Sequence, residues 1–109
     1  SAGVFVSVRT DPPALIFRAF LLDEVGESPA LYTLLNEINK DLDIGQVYYN
    51  EDVRGIRYYY KHFAENPSPE LVAHIIDMMT EIADLHDDRL KNRLGGKRFR
   101  EAASDEVDV

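Results

Sequence analysis

Two groups of side chains in this sequence have the residue types for metal or proton chemistry. The first is the histidines, His62, His74 and His86. No pair has the i, i+4 spacing that sets two imidazoles around a zinc ion on one helix face, and HExxH is absent. His74 and His86 would project about 120° apart on a helix. His86 falls near the middle of an apolar stripe, which predicts a neutral imidazole hydrogen-bonded in or beside the core. The second group is Asp77, Glu81, Asp84 and Asp88, spaced four, three and four and therefore neighbours on one helix face. A hard cation needs about six or more oxygens converging on a point, whereas a convex helix surface spreads its carboxylates. The stripe reads as solvated surface. Its like-charge pairs each cost about a few tenths of a kcal/mol, which suits it to a basic partner.

Covalent and phosphate chemistry find less support. The chain has no cysteine, so disulfides, thiolate metal sites and thiol nucleophiles are excluded. Gly95-Gly96 follows a helical pattern and does not precede one, the wrong polarity for an anion cradle. No GxSxG elbow occurs. No nucleophile–base pair can be named, so the expectation is a protein without catalytic residues, metal or cofactor.

The aromatic residues are more informative. Five of the six tyrosines, Tyr48, Tyr49, Tyr58, Tyr59 and Tyr60, fall in one strand pair. Alternation along the strands predicts two unlike sheet faces. One carries Val4, Val6, Val8, Leu15, Phe17, Leu21, Val47, Tyr49, Ile56, Tyr58 and Tyr60, enough for a core under a helix. The other carries Phe5, Ile16, Phe20, Leu22, Tyr48 and Tyr59 interleaved with Arg9, Arg18, Arg57 and Lys61. That outer face is too apolar for water alone and marks an interface. Three kinds of cover remain open: a helix of the same chain, a protein partner (a docked peptide or a second copy), or stacked bases. Aromatics with arginines on an antiparallel sheet are how RNA-binding sheets hold bases. Against that, the chain has 20 acidic and 12 basic residues, a net charge of −8, and no RNP-type motif. The same acidity disfavours anionic membranes.

The elements that must carry these faces are readable in order. Val4, Val6 and Val8 alternate with Phe5, Ser7 and Arg9 as a strand, stopped by Asp11-Pro12-Pro13. A nearly continuous apolar strand runs from about Ala14 to Asp23. Ser28-Pro29 opens a helix with a serine cap and a proline at its first position. Leu31, Leu34, Leu35, Ile38 and Leu42 form its apolar side, and Gly45 closes the element. Strands Gln46 to Asn50 and Ile56 to Phe63 follow, joined by a polar hairpin loop. Ser68-Pro69 repeats the start signal for a long helix to Leu94, with Gly95-Gly96 as its stop. Its stripe is Val72, Ile75, Ile76, Met79, Ile82, Ala83 and Leu90. The order ββ-α-ββ-α with short strand connections predicts an α+β fold: an antiparallel sheet with packed helices.

The 109 residues suffice for one domain, expected over residues 1–96, with 97–109 as a charged, disordered tail, basic then acidic. The longest apolar run, Ala14 to Leu22, is broken by Arg18 and falls short of the roughly 18 residues of a membrane span. No secretory-signal pattern opens the chain, and Ser1 in place of methionine reads as a processed or trimmed start. The lack of cysteine fits a reducing, cytoplasmic setting.

Asn36 and Asn39 stand three apart on the first helix, and Asn39, at the rim of its apolar stripe, can reach strand backbone. Leu34-Leu35-Asn36-Glu37-Ile38-Asn39 resembles the "LN..N" helix of the YbjN-like domains, grouped with the type III secretion chaperones. Leu94-Gly95-Gly96 is similar to the terminal "fGG" of that family, and Val8-Arg9-Thr10-Asp11-Pro12-Pro13 to its actinobacterial, peptide-binding members. The resemblance covers about Val4 to Gly96. It implies an α-β-β-β-α-β-β-α fold whose first helix and strand have no counterpart before Val4. It further implies a frequent dimer without cofactor or catalysis, a hold on partner polypeptides through exposed sheet and helix surface, and structural roles for Asn36, Asn39, Gly95 and Gly96. The expected protein is a peptide-binding, chaperone-like adaptor. A regulatory or structural homodimeric module is the alternative, and a single-stranded nucleic-acid binder the remoter one. The expected face is Phe5, Ile16, Arg18, Phe20, Tyr48, Arg57, Tyr59 and Lys61, where the cations favour acidic clients.

Overall fold

The structure, a computed structural model, describes residues 3–97. Its order is β1 (Val4–Thr10), β2 (Pro13–Leu22), α1 (Pro29–Asp41), β3 (Gln46–Asn50), β4 (Gly55–Phe63) and α2 (Pro69–Leu94). The four strands form one antiparallel sheet in the order β1-β2-β4-β3, the α+β architecture expected. The Asp11–Pro12 bond at the β1–β2 turn is cis.

Both helices begin as their serine–proline pairs predict. Ser28 Oγ accepts the Leu31 N–H at 3.2 Å and Ser68 Oγ the Leu71 N–H at 3.1 Å. Each bond satisfies a donor that the first helical turn would otherwise leave orphaned.

The apolar stripes of both helices lie on the same face of the sheet. Leu31, Leu34, Leu35 and Ile38 of α1 and Ile75, Met79, Ala83 and Leu90 of α2 close a core with Leu15, Phe17, Ala19, Val47, Ile56 and Tyr58. Burial of these side chains is the main stabilising term, about 1.5–3 kcal/mol for each large one. Tyr58 is fully buried, and its hydroxyl donates to the Ile44 carbonyl at 2.7 Å. Burial pushes that phenol up to about 12, so it stays a donor.

Two expectations need correction. Val6 and Val8 alternate correctly, yet they are 39% and 74% exposed. The helix layer reaches only the start of β1, where Val4 is half-buried. Leu22, expected on the outer face, is fully buried opposite Ile56. A register shift between Phe20 and Leu22 turns the end of β2 over. Of the expected tail, Lys97 is described and bridges Asp23; residues 98–109 lie outside the described residues.

Candidate outer-face site

Strand register assembles the outer face in three rows. Phe5, Arg18, Tyr59 and Gln46 stand side by side across β1, β2, β4 and β3. Phe20, Arg57 and Tyr48 make the next row, and Ser7, Ile16 and Lys61 the one on the opposite side. The eight residues of the expected binding face thus share one face, whereas Leu22, which alternation also put there, does not. Among the described residues no helix crosses it, because both helical stripes are spent on the core.

The face is graded in exposure. Phe5 is 49% exposed and Arg18 is exposed, whereas Phe20, Tyr48, Arg57, Tyr59 and Lys61 are half-buried. Ile16, at 5%, is covered by its neighbours and offers little contact area. The side chains cover one another through ring and cation contacts. The Arg57 guanidinium lies 4.3 Å from the centroid of Phe20, and Phe5 leans on Phe20 at 5.3 Å. Arg18 sits 5.5 Å from the Tyr59 ring, which meets Tyr48 edge-on at 6.5 Å. Such cation–ring contacts contribute about 0.5–1 kcal/mol each at exposed sites. A shallow cleft of about 190 Å³ opens among Gln46, Tyr48 and Tyr59.

Charge is segregated here. The outward positions of the four strands carry Arg9, Arg18, Arg57 and Lys61 and no carboxylate, in a chain of net charge −8. Arg57 is matched by Asp23, 3.0 Å from its Nη2. Among the described residues Arg9, Arg18 and Lys61 have no ion-pair partner. Cations between aromatic rings attract carboxylates that arrive with apolar side chains.

Of the motif residues, Asn39 bonds to strand backbone and Gly95 and Gly96 turn the chain at the end of α2. The Asn39 side chain donates to the Val47 carbonyl at 3.0 Å and accepts the Val47 N–H at 2.8 Å. Asn36 is exposed on the same helix. Gly95 caps α2 with a φ of 76° and donates to the Lys91 carbonyl at 2.8 Å. Gly96 has a φ of 79°, and a Cβ there would stand 2.5 Å from the Asp23 carbonyl oxygen. Lys97 and Asp23 then exchange both backbone hydrogen bonds, at 2.6 and 2.7 Å.

The histidines stand apart in role. His74 is exposed, and His62 Nδ1 is 3.0 Å from the Tyr60 hydroxyl. His86 Nδ1 is buried without the hydrogen-bond partner expected for it, and burial lowers its affinity for a proton. No group of three or more acidic or histidine side chains converges as a metal site among the described residues. Asp77, Glu81, Asp84 and Asp88 are exposed.

Sequence reasoning missed three contributors. Asp23 looked like a strand end, and only the folded β2–β4 pairing brings it to Arg57. Phe63 joins the outer face beside Lys61, 5.8 Å from its ammonium; its alternation with Tyr59 and Lys61 was the available signal. Asp87 is 5% exposed within the apolar stripe of α2, four residues from Ala83, and burial raises its pKa.

No helix among the described residues is long and apolar enough to cross a membrane. No curated protein matches the chain, and no solved structure matches it. Residues 1–102 match the family described as T3SS (YopN, CesT) and YbjN peptide-binding chaperone 1. With most of its length covered by that match, and with the Asn39 and Gly95-Gly96 features in place, the chain belongs to this family of peptide-binding chaperone domains.

Proposed function

We propose that this chain is a non-enzymatic adaptor that holds an extended, acidic and apolar segment of a partner polypeptide on its outer sheet face. Family membership supplies the class of ligand. The observation that carries the choice of surface is the charge segregation: an acidic protein keeps one sheet face free of carboxylates and dots it with Arg18 and Lys61 among Phe5, Phe20, Tyr48 and Tyr59. An extended peptide repeats its side chains every second residue, the period of the strands beneath it. Apolar side chains would pack on Phe20 and Tyr59 while carboxylates meet Arg18 and Lys61.

The test is an array of extended peptides probed with the purified chain. Acidic–apolar sequences should be retained, and Tyr59→Ala or Phe20→Ala should weaken them by about tenfold, as truncating an aromatic anchor does. Retention unchanged in both variants places the peptide elsewhere.

A second reading rests on a different feature. β1 is a sheet edge that carries the exposed Val6 and Val8. Such an edge pairs readily with another strand, and a homodimer through β1 would cover it. A stable monomer in sedimentation at high concentration counts against this second reading.

A further inference from the structure

We infer that the acidic segment following Lys97, residues 101–109, is the resident occupant of the outer face and competes there with partner peptides. The inference rests on the proposed peptide site and names its regulator.

Three observations converge. First, the chain leaves the described fold at the rim of the face. Lys97 is bonded to Asp23 through both backbone groups, the Asp23 carboxylate meets Arg57, and Arg57 covers Phe20. Second, the direction is right. The Asp23–Lys97 bridge is antiparallel, so the chain at Lys97 runs counter to β2; β1 and β4 already flank Arg18 and Ile16 in the sheet, so the segment would reach them by lying over the outer face. The seven residue steps from Asp23 back to Ile16 span about 23 Å. The twelve residues 98–109 reach up to about 40 Å when extended. Third, the chemistry is complementary. Residues 101–109 carry Glu101, Asp105, Glu106 and Asp108 and no cation. Their last four alternate acid with valine, Glu106-Val107-Asp108-Val109, the two-residue period that an extended ligand on a sheet requires. Arg18 and Lys61, without carboxylate partners among the described residues, are the cations they would meet. A tethered segment needs little intrinsic affinity, since a short tether supplies an effective concentration in the millimolar range.

The 109-residue chain has no cysteine, so Ser104→Cys in it provides a single thiol for a nitroxide label. The amide signals of Arg18, Tyr59 and Lys61 should lose most of their intensity at low salt and recover it in about 1 M salt, where the screening length falls to about 3 Å. Broadening confined to α1 or α2, or none at all, overturns the inference. So does broadening that appears on unlabelled copies in a mixed sample, since the segment would then sit on a second molecule. A binding arm separates this from the peptide site itself. A fluorescent nonapeptide with the sequence of residues 101–109 is titrated into the 109-residue chain and into its variant Glu101→Gln/Asp105→Asn/Glu106→Gln/Asp108→Asn. Neutralising the resident segment should tighten the peptide about three- to tenfold, as expected when 70–90% of faces are self-occupied. Equal affinity in the two proteins overturns the inference while leaving the peptide site intact. Failure of all array peptides to bind removes the peptide site and leaves the label experiment to decide the segment's position.

Discussion

The side chain of Asn39 pairs with the backbone of Val47 as a neighbouring strand would, giving one hydrogen bond and taking one, at 3.0 and 2.8 Å. Val47 lies on β3, the outer strand beyond β4, so α1 supplies at this position the partner that the sheet lacks. The effect is to blunt one edge of the sheet against pairing with another chain. The opposite edge, β1, has no such device among the described residues.

Replacing Asn39 with alanine removes both bonds and leaves the Val47 N–H and carbonyl without their partner. The expected loss is about 1–3 kcal/mol of folding stability, read as a lower urea midpoint with an unchanged slope. Asn39→Asp keeps the acceptor and loses the donor, so it should fall between. The alanine variant should also self-associate with rising concentration, since a stretch of unpaired edge is opened.

Gly96 tests how α2 is fastened to the end of β2. Its φ of 79° is one that L residues with a side chain seldom adopt, and an added Cβ would meet the Asp23 carbonyl oxygen at 2.5 Å and Val25 at 2.8 Å. Gly96→Ala should cost about 1–3 kcal/mol, the range for a strained backbone position. It should also break the Asp23–Lys97 bridge, seen as faster amide exchange at both residues. Gly95→Ala, with a φ of 76° but no neighbour within 4 Å of the added carbon, should cost less.

Arg57 has its guanidinium carbon over the Phe20 ring, 4.3 Å from the centroid, its Nη2 3.0 Å from Asp23 and its Nη1 3.4 Å from the Leu22 carbonyl. A lysine keeps the charge and loses the planar guanidinium and its forked geometry. Arg57→Lys should therefore lower stability nearly as much as Arg57→Ala, by about 1–2 kcal/mol on the scale of one partly buried charged hydrogen bond and one cation–ring contact. Rescue by lysine in thermal melts would show that charge alone is used.

The element order was legible because local chemistry marks it: Ser28-Pro29 and Ser68-Pro69 start helices by satisfying N–H groups, and Asp11-Pro12-Pro13 stops a strand. The eight outer-face residues were legible from period-two spacing, since alternation needs no tertiary knowledge. Alternation says which face a side chain takes and not how far the opposing layer extends, so Val6 and Val8 were placed in a core that ends at Val4. It also fails across an irregularity. The shift between Phe20 and Leu22 is set by pairing with β4, and nothing local to Leu22 announces it. The carboxylate of Asp87 was hidden among neighbours Asp84 and Asp88, whose exposure depends on how α2 is rotated about its axis.

Adjacent residues His86 and Asp87 give the acid response of the fold opposite contributions. Burial is the chief cause of both shifts, and the positive charge of Arg89 adds to that on His86. The imidazole is lowered from its usual 6.5, so the unfolded chain binds the proton more readily. Its contribution is therefore full above 6.5 and is lost as pH falls through that value towards the folded-state one. The Asp87 carboxyl is raised from 3.8, so here the folded chain binds the proton more readily. Its penalty is present at neutral pH and relieved as pH falls through the raised value. His86→Leu should flatten the loss of stability below pH 6.5, and Asp87→Asn should raise the urea midpoint at pH 7 while leaving it nearly unchanged at pH values below 3.8. Urea unfolding of the two variants and the parent from neutral to acid pH checks both. A destabilised Asp87→Asn at pH 7 would mean that the carboxylate is held by an attractive charge and that desolvation is not its dominant cost.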